Sequence, residues 1–417
     1  MVRANGKTVV HSAIQVFGVV MDISATAISE AIERREFSYY FQPQISLISG
    51  RLTGAEALLR WTRADGTMIP PDRFIPLAEE NGLMAGITIS LFDSFVEAIN
   101  LIRDINPDVL VSLNLSSGEF FDGDLLDVIS SAVNHGLIPA GSFGVEITER
   151  TFLELQDKTR NYISYLSAMG IPIIMDDFGT GYSNLASLST VPFAKIKLDR
   201  SLVKDVMISR KDAIIVEENI RMAHRIGVEV VAEGVESREI YGFLQQLGTT
   251  HVQGYLVGRP MPLGEFMETV VVTGKNYGGT ALGLLYMAQL DHIQWRKMLI
   301  NRIFYRDFVT SSQSNAYQDI QINPQRCSLG KWLEGEGKAY QGLPEFQALR
   351  LPHDRLHMVA HHLIVESDSG VHSRKQLIGL ARELTDQSML LVRLLHDLEH
   401  RILEEEMGLS HEPVLSE

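Results

Sequence analysis

Residues 171–188 read IPIIMDDFGTGYSNLASL, a short apolar run that ends on two adjacent acids and a glycine-containing loop. The β-branched run predicts a buried strand. Successive side chains of a strand point to opposite faces, so Asp176 and Asp177 converge only if the strand stops there and the backbone turns. Two buried carboxylates raise each other's pKa, and a divalent cation is the usual reason for such a pair. For this stretch alone, a solvated turn is the alternative.

The stretch is one of eight strand-like segments that alternate with helical ones. The strand candidates are residues 38–45, 53–61, 109–115, 143–148, 171–176, 193–198, 228–232 and 251–255. Amphipathic helical segments precede or separate them, at 26–36, 87–103, 124–135, 157–169 and 212–226. This alternation predicts an α/β protein with a modified (β/α)8 TIM-type barrel.

The chain changes character after the glycine-rich segment TGKNYGGT at 273–280, and nine of the 13 histidines follow from His292 onward. We predict a barrel over 24–270, a linker over 271–281, a smaller all-α helical bundle over 282–405 and a disordered tail over 406–417. Residues 1–23 are either a simple extension or the end of a PAS sensor domain, whose last strand the GVVMDIS run resembles.

The composition limits the class of partner. A net charge of −15 over 417 residues argues against binding a nucleic-acid polymer, whereas metal ions could neutralise a site for a small anion. One cysteine, Cys327, excludes an internal disulfide. The apolar run at 13–20 is too short to insert in a membrane, and we see no signal peptide, so we expect a cytoplasmic location.

The predicted strands carry a consistent set of polar residues near their C-terminal ends, which meet at one mouth of such a barrel. The set comprises Glu56, Asn114, Glu146, Asp176, Asp177, Lys197, Glu233, Glu236 and Gln253. Oxygen ligands without histidine or cysteine favour Mg²⁺ or Mn²⁺ over zinc. Several carboxylates at one mouth suit two ions, and two-metal sites cleave phosphodiesters. Any one of these acids alone would more often be a solvated residue.

The ordered motifs FQPQISLISGRLTGAEALLRW, NLS, EITE, DDFGTGYSNL, KLDR, AEGVE and VQGYLVGRP resemble the EAL domain family over about residues 24–268. The resemblance implies hydrolysis of cyclic di-GMP to linear pGpG and a homodimer. It implies Glu56, Asn114, Glu146 and Asp176 as ligands of the first metal, Asp176 and Asp177 as ligands of the second, Glu233 ordering water or metal, and Lys197 contacting the nucleophilic water. It also implies substrate contacts by Gln42, Arg60, Glu236 and Gln253, and Glu149 anchoring the DFGTGYSNL loop.

The sequence departs from the family pattern at positions that are not metal ligands in the family. Thr250-His251 stands where an acid often precedes the VQG motif, and Asn184 stands where serine is frequent. EAL domains that only bind the nucleotide usually lack a metal carboxylate or the lysine, and this chain retains all of them. We therefore expect an active hydrolase. The alternatives are a catalytically silent cyclic di-GMP receptor that signals to a protein partner and, less favoured, a phosphodiesterase of broad specificity.

The helical region holds a second constellation. His292 lies in DHIQW, Cys327 begins CSLGKW, and LPHDRLHMVAHHL places His353 and His357 four residues apart on one helical face. Cysteine with imidazoles is typical of a tetrahedral zinc site. His357 and His361 have the same spacing and could form the pair instead. A buried free cysteine among incidental histidines is the alternative.

Together these motifs resemble the chemoreceptor zinc-binding (CZB) domain over about residues 282–404. The resemblance implies one Zn²⁺ held by His292, Cys327, His353 and His357, and a site that senses zinc or, through its thiolate, oxidants such as hypochlorous acid. Four protein ligands leave no position for a substrate, so we expect a regulatory site. No role is assigned to His361, His362, His396 and His400.

Overall fold

The computed structural model describes residues 23–139, 141–154, 157–179, 191–304, 322–369 and 374–406. Nearly all of the predicted N-terminal extension, the loop at 180–190 with Asn184, and the predicted tail from 407 lie outside the described residues.

Among these described residues, ten strands form one sheet that closes on itself, since β1 pairs with both β2 and β9. The strands are β1 (Phe37–Ser46), β2 (Leu52–Thr62), β3 (Met68–Ile69), β4 (Leu110–Asn114), β5 (Phe143–Thr148), β6 (Ile173–Phe178), β7 (Phe193–Leu198), β8 (Glu229–Ala232), β9 (His251–Gln253) and β10 (Met261–Pro262). Strands β1, β2 and β4 to β9 make the eight-stranded barrel, and β3 and β10 are short additions. The predicted barrel is confirmed.

Ten α-helices belong to the described part of the barrel region. They are α1 (Ala25–Glu33), α2 (Pro71–Glu80), α3 (Met84–Ile105), α4 (Gly123–Asn134), α5 (Glu149–Glu154), α6 (Asp157–Ala168), α7 (Arg200–Val203), α8 (Arg210–Ile226), α9 (Arg238–Gln246) and α10 (Leu263–Phe266). Helix α8 begins where Ser209 accepts the Asp212 amide and ends at Gly227, whose φ of 77° suits a residue without Cβ.

Strand β1 runs opposite to the other barrel strands. It pairs antiparallel with β2 and β9, whereas β2 and β4 to β9 pair in parallel. The cause is the short connection between Ser46 and Leu52, because a parallel crossover needs about a dozen residues or more. No helix intervenes between β1 and β2, so the simple strand–helix alternation begins only after β2.

The barrel encloses one apolar core, to which the strands and their outer helices contribute. A smaller cluster of Ile28, Phe37, Trp61 and Phe74 packs α1 and α2 against the start of β1 and the end of β2. Helix α3 is long and apolar enough to cross a membrane, but half of that stretch is buried against the barrel, as in the core helix of a globular domain.

The C-terminal region is helical, as predicted. It contains α11 (Leu282–Phe304), α12 (Ser328–Glu334), α13 (Pro344–Ser369) and α14 (Arg374–Glu406), which share a separate core that includes Leu285, Trp295, Leu356 and Leu395. The bounds of the predicted domains stay predictions, but the chain between the two cores has a defined structure.

Residues of the predicted linker between 276 and 280 are hydrogen-bonded to the barrel. The Tyr277 and Thr280 amides donate to the carbonyls of Gly50 and Leu47 in the β1–β2 loop. Helix α11 then begins against the α9–β9 turn, where a Cβ on Gly283 would collide with the Gln245 carbonyl and the Gly248 backbone. This close backbone contact joins the helical region to the barrel.

The glycine contact can be tested with two alanine substitutions in helices. Gly283→Ala should lower the free energy of unfolding by about 1–3 kcal/mol, because the new methyl group has no space. Gly242→Ala in α9, where nothing lies within 4 Å, should raise it by about 0.5–1 kcal/mol. Calorimetry measures the free energy of unfolding of both variants and of the wild-type protein. Equal stability of the two would contradict the close contact.

Candidate active site and metal centres

The Lys197 ammonium lies at the centre of the candidate active site. Its Nζ atom is 2.6 Å from Glu146, 2.7 Å from Glu233, 3.0 Å from Glu56 and 3.3 Å from Asp176. Only 1% of the lysine is exposed. The four acids come from or follow β2, β5, β6 and β8, and the lysine comes from β7. Residues predicted to share one mouth of the barrel are thus brought into contact.

Asp176 and Asp177 converge through an irregularity within β6. Asp177 has a φ of 54°, in the left-handed region, and the pairing of β6 with β7 shifts between Met175 and Phe178. The strand therefore continues to Phe178, and the convergence comes from this local turn and not from the strand end that the sequence suggests. Ligand oxygens of Asp176, Asp177 and Glu233 lie within 4.8 Å of one another.

Glu56 lies in the middle of β2, directly opposite Gln42 on β1, and not at the end of its strand as predicted. The reason is the reversed β1, which extends the β1–β2 pairing as far as Trp61. Three groups hold the Glu56 carboxylate. Asn114 donates to Oε1 at 2.7 Å, and Gln253 and Lys197 donate to Oε2 at 2.6 and 3.0 Å.

Burial and mutual repulsion dominate the electrostatics of the site. Burial alone would lower the pKa of Lys197, but the four surrounding carboxylates raise it well above its ordinary value. Burial raises the pKa of Glu233 to about 8, and burial with repulsion from Asp176 raises that of Asp177 to about 6.

The donor set suits divalent cations. Ligand oxygens of Glu56, Glu146 and Asp176 lie within 4.8 Å of one another. The Oε1 atom of Glu146 is buried without a hydrogen-bond partner among the described residues, so it is available to a cation. With all five carboxylates ionised, as cation binding would require, these groups and the one ammonium carry a net charge of −4, which two divalent ions would neutralise. Hard oxygen donors favour Mg²⁺ or Mn²⁺.

A cavity of about 250 Å³ opens above these groups. Its lining includes the predicted site residues Gln42, Glu56, Asp176, Glu233, Glu236 and Gln253. It also includes Arg200, which pairs with Glu236 at 2.8 Å, and Tyr255, whose ring lies 3.9 Å from the Arg259 guanidinium carbon. Sequence reasoning gave neither residue a role. The signals were Arg200 in the KLDR motif and Tyr255 directly after Gln253-Gly254.

Two predicted residues lie at the margin of this site. Arg60 is outside the lining of the cavity; it donates to the Leu59 carbonyl and lies 5.6 Å from the centre of the Tyr40 ring. Glu149 follows β5, and its Oε2 accepts the Gly179 amide at 3.4 Å. That contact fits an anchor for the DFGTGYSNL loop, most of which lies beyond the described residues. Both roles stay predictions.

The second centre lies in the helical region. The Sγ atom of Cys327 is 3.1 Å from Nε2 of His353, and ligand atoms of Cys327, His353 and His357 lie within 4.8 Å of one another. The Ile322 carbonyl lies 2.8 Å from Nδ1 of His357, which turns Nε2, buried and without a partner in the described structure, toward the group. Burial lowers the pKa of His353 to about 4, so the imidazole is neutral, the form that binds zinc.

His292 lies beside this trio. Its ring stacks on Trp295, with 5.6 Å between centroids, and Trp295 in turn contacts His357 at 4.8 Å. Its Nε2 is buried with no partner among the described groups, although it is outside the set whose ligand atoms are mutually within 4.8 Å. Three of the four predicted zinc ligands are therefore brought together, and the fourth is adjacent on α11.

A cavity of about 330 Å³ lies between the barrel and the trio of Cys327, His353 and His357. His292, Cys327 and His357 line one side, and His224, Arg225 and Gly227 at the end of α8 line the other. A neighbouring cavity of about 550 Å³ reaches Glu229 and His251, at the N-terminal ends of β8 and β9. The carboxylate site lies at the opposite ends of these strands, so the two centres face opposite ends of the barrel.

The fold and both centres agree with the protein families that the chain matches. Residues 25–260, more than half of the chain, match the EAL domain, and residues 292–364 match the chemoreceptor zinc-binding domain. The chain belongs to the EAL domain family and carries a C-terminal chemoreceptor zinc-binding domain. Both resemblances predicted from the sequence are confirmed.

Several relatives are cyclic di-GMP phosphodiesterases by name. The chain is 32% identical to PdeL of Escherichia coli over 60% of its own length and 69% of PdeL. It is 35% identical to the bifunctional diguanylate cyclase/cyclic di-GMP phosphodiesterase MucR of Pseudomonas aeruginosa, over 58% of this chain and 35% of MucR. A solved structure, PaMucR phosphodiesterase in complex with c-di-GMP, matches with a TM-score of 0.53 and 34% identity, over 58% of this chain and 98% of that one. The chain spans about a third of the length of several curated relatives.

Lys197→Met tests the central interaction. Without its ammonium the buried carboxylates are uncompensated, so in EDTA the free energy of unfolding should fall by about 3–5 kcal/mol, and Mn²⁺ should restore much of it. Lys195→Met on the same strand is the matched control. Lys195 pairs at 3.2 Å with the half-exposed Glu229, and this pair contributes about 0–1 kcal/mol. Thermal unfolding with and without Mn²⁺ measures both. Equal losses, or no gain from Mn²⁺, would contradict the assignment.

Proposed function

We propose that this protein hydrolyses cyclic di-GMP to linear pGpG in the EAL barrel. The observation that carries the proposal is the complete group of Glu56, Glu146, Asp176 and Glu233 around Lys197, on a barrel that belongs to the EAL family. Cyclic di-GMP is the nucleotide in the names of PdeL and MucR and in the PaMucR complex, and its phosphodiester suits a two-metal site.

Two Mg²⁺ or Mn²⁺ ions would supply an activated water and stabilise the charge of the displaced oxygens. Glu56, Asn114, Glu146, Asp176 and Asp177 would hold them, with Glu233 at the mouth. The amide of Asn114 would have to turn, since its NH₂ group now faces Glu56 and a cation requires its oxygen.

The remaining polar groups bind and orient the substrate. Lys197 lies among the carboxylates, where its ammonium can hydrogen-bond the attacking water and a phosphate oxygen. Gln42, Glu236 and Gln253 line the cavity above, where they can contact the nucleotide. Arg60 offers a planar guanidinium for a phosphate at the margin.

Turnover of cyclic di-GMP in Mg²⁺ or Mn²⁺ tests the catalytic proposal. Glu56→Ala and Asp176→Ala should each reduce the rate about a thousandfold or more, because several kcal/mol of charge stabilisation depend on the ions. Glu229→Ala, at the other end of β8, removes a half-exposed acid outside the site and should keep the wild-type rate. Chromatography of pGpG measures the product.

Undiminished turnover in either site variant would overturn the metal assignment. Tight binding of cyclic di-GMP by the wild-type protein without pGpG would support the receptor alternative.

The second part of the proposal is that the C-terminal domain binds one Zn²⁺ through Cys327, His353, His357 and His292 and regulates hydrolysis in response to zinc or oxidants. The supporting observations are the converging trio, the buried Nε2 atoms of His357 and His292, and the match to the CZB domain. Homodimerisation and a cytoplasmic location are further parts of the proposal and rest on the sequence alone.

Zinc content and turnover across buffered nanomolar to micromolar free zinc test this part. The wild-type protein should retain one tight Zn²⁺ per chain and change its rate with zinc. Cys327→Ser should weaken zinc binding and abolish the change in rate, because the thiolate is the strongest donor of the set. His361→Ala, at an exposed position on α13, should behave as wild type. One tight zinc in the serine variant would exclude Cys327 as a ligand; turnover indifferent to zinc would remove the regulatory role and leave the enzyme.

A further inference from the structure

Gln44 is a buried polar residue of β1 that none of the roles above uses. It is 1% exposed, and its neighbours in register are Gly54 on β2 and Gln253 on β9. A Cβ on Gly54 would lie 2.8 Å from Oε1 of Gln44, so the missing side chain makes room for the glutamine. Glycine at position 54 thus leaves space inside the barrel for the side chain of Gln44.

The Gln44 amide is connected to the active site through one other residue. Its Nε2 donates to Oε1 of Gln253 at 2.9 Å. The NH₂ group of Gln253 donates onward to Oε1 of Gln42 at 3.0 Å and to Oε2 of Glu56 at 2.6 Å. Gln44 itself is absent from the lining of the cavity, so its effect on the site passes through Gln253.

The chemistry of an amide makes this connection directional. A glutamine side chain has one carbonyl acceptor and one NH₂ donor. With its carbonyl held by Gln44, Gln253 must present NH₂ to the Glu56 carboxylate. The reverse orientation would set two NH₂ groups against each other and a carbonyl oxygen against a carboxylate, and both contacts are repulsive in a buried site.

We propose that Gln44 is a positioning residue: by fixing the orientation of the Gln253 amide, it aims the Glu56 carboxylate at the divalent cation. Asn114 and Lys197 also hydrogen-bond Glu56. Once cations are bound, however, Asn114 would turn its oxygen toward a cation and Lys197 would hydrogen-bond the attacking water. The Gln253 contact remains as the support that orients this ligand. The inference rests on the proposed function only in assigning a cation to Glu56.

Direct Mn²⁺ binding in the absence of nucleotide tests the proposal, with free Mn²⁺ measured by electron paramagnetic resonance. Gln44→Met keeps the length of the side chain and removes its donor. Its Mn²⁺ dissociation constant should rise about tenfold, the lower end of the effect of residues that orient metal ligands. In turnover, the half-saturating Mn²⁺ concentration should rise to match.

A merely structural role is distinguished by Thr250→Val. Thr250 is buried three residues before Gln253, and its hydroxyl bridges the backbone N–H and carbonyl of Val230. This variant should lose stability without any change in Mn²⁺ affinity. Circular dichroism and thermal unfolding in EDTA establish that both variants are folded.

A double variant tests whether Gln44 acts through Gln253. In a Gln253→Met background, Gln44→Met should have no further effect on Mn²⁺ affinity. An additive effect would overturn the proposal, as would wild-type affinity in Gln44→Met or a wild-type protein that binds no Mn²⁺. If the wild-type protein binds Mn²⁺ but does not hydrolyse cyclic di-GMP, the proposed function fails and the role of Gln44 is still decided by the binding experiment.

Discussion

The contact of one ammonium with four carboxylates inside the barrel is the interaction on which the active site depends. Removing such charges from water costs several kcal/mol per ion, and only close pairing offsets that cost. The acids belong to four different strands or their ends, and Lys197 belongs to a fifth. They meet only when the barrel closes. The closed barrel therefore brings these charged groups together. Because the carboxylates outnumber the ammonium, the site suits divalent cations.

The reversed β1 adapts the barrel to this site. Side chains two residues apart on a strand share a face, so Gln42 and Gln44 both point toward Gln253. The same strand places Gln42 directly opposite Glu56. A parallel first strand would have required a crossover helix, and the five-residue connection to β2 leaves no room for one. The antiparallel pair thus supplies a set of uncharged amides beside the acidic groups.

The contact between helix α11 and the barrel sets where the trio of Cys327, His353 and His357 lies relative to the barrel. Helix α11 contacts the α9–β9 turn through Gly283 and carries His292 further along its length. The trio of Cys327, His353 and His357 faces the N-terminal ends of β8 and β9, whereas Glu233 lies just past the C-terminal end of β8. An effect of zinc on hydrolysis would therefore have to cross the length of the barrel. Helix α11 touches both His357, through Trp295, and the barrel, through Gly283. Neither family match covers residues 261–291, where this helix begins.

The sequence alone determined the barrel and the helical C-terminal region, because strand and helix periodicities are local. Its motifs also singled out side chains that the structure brings close together in the two clusters. It did not determine the direction of β1, the left-handed Asp177, the mid-strand position of Glu56 or the positions of Arg200, Tyr255 and Gln44 beside the site. These depend on contacts between residues far apart in the chain. The 209 residues between Gln44 and Gln253 are an example, since only closure of the barrel brings the two amides to 2.9 Å.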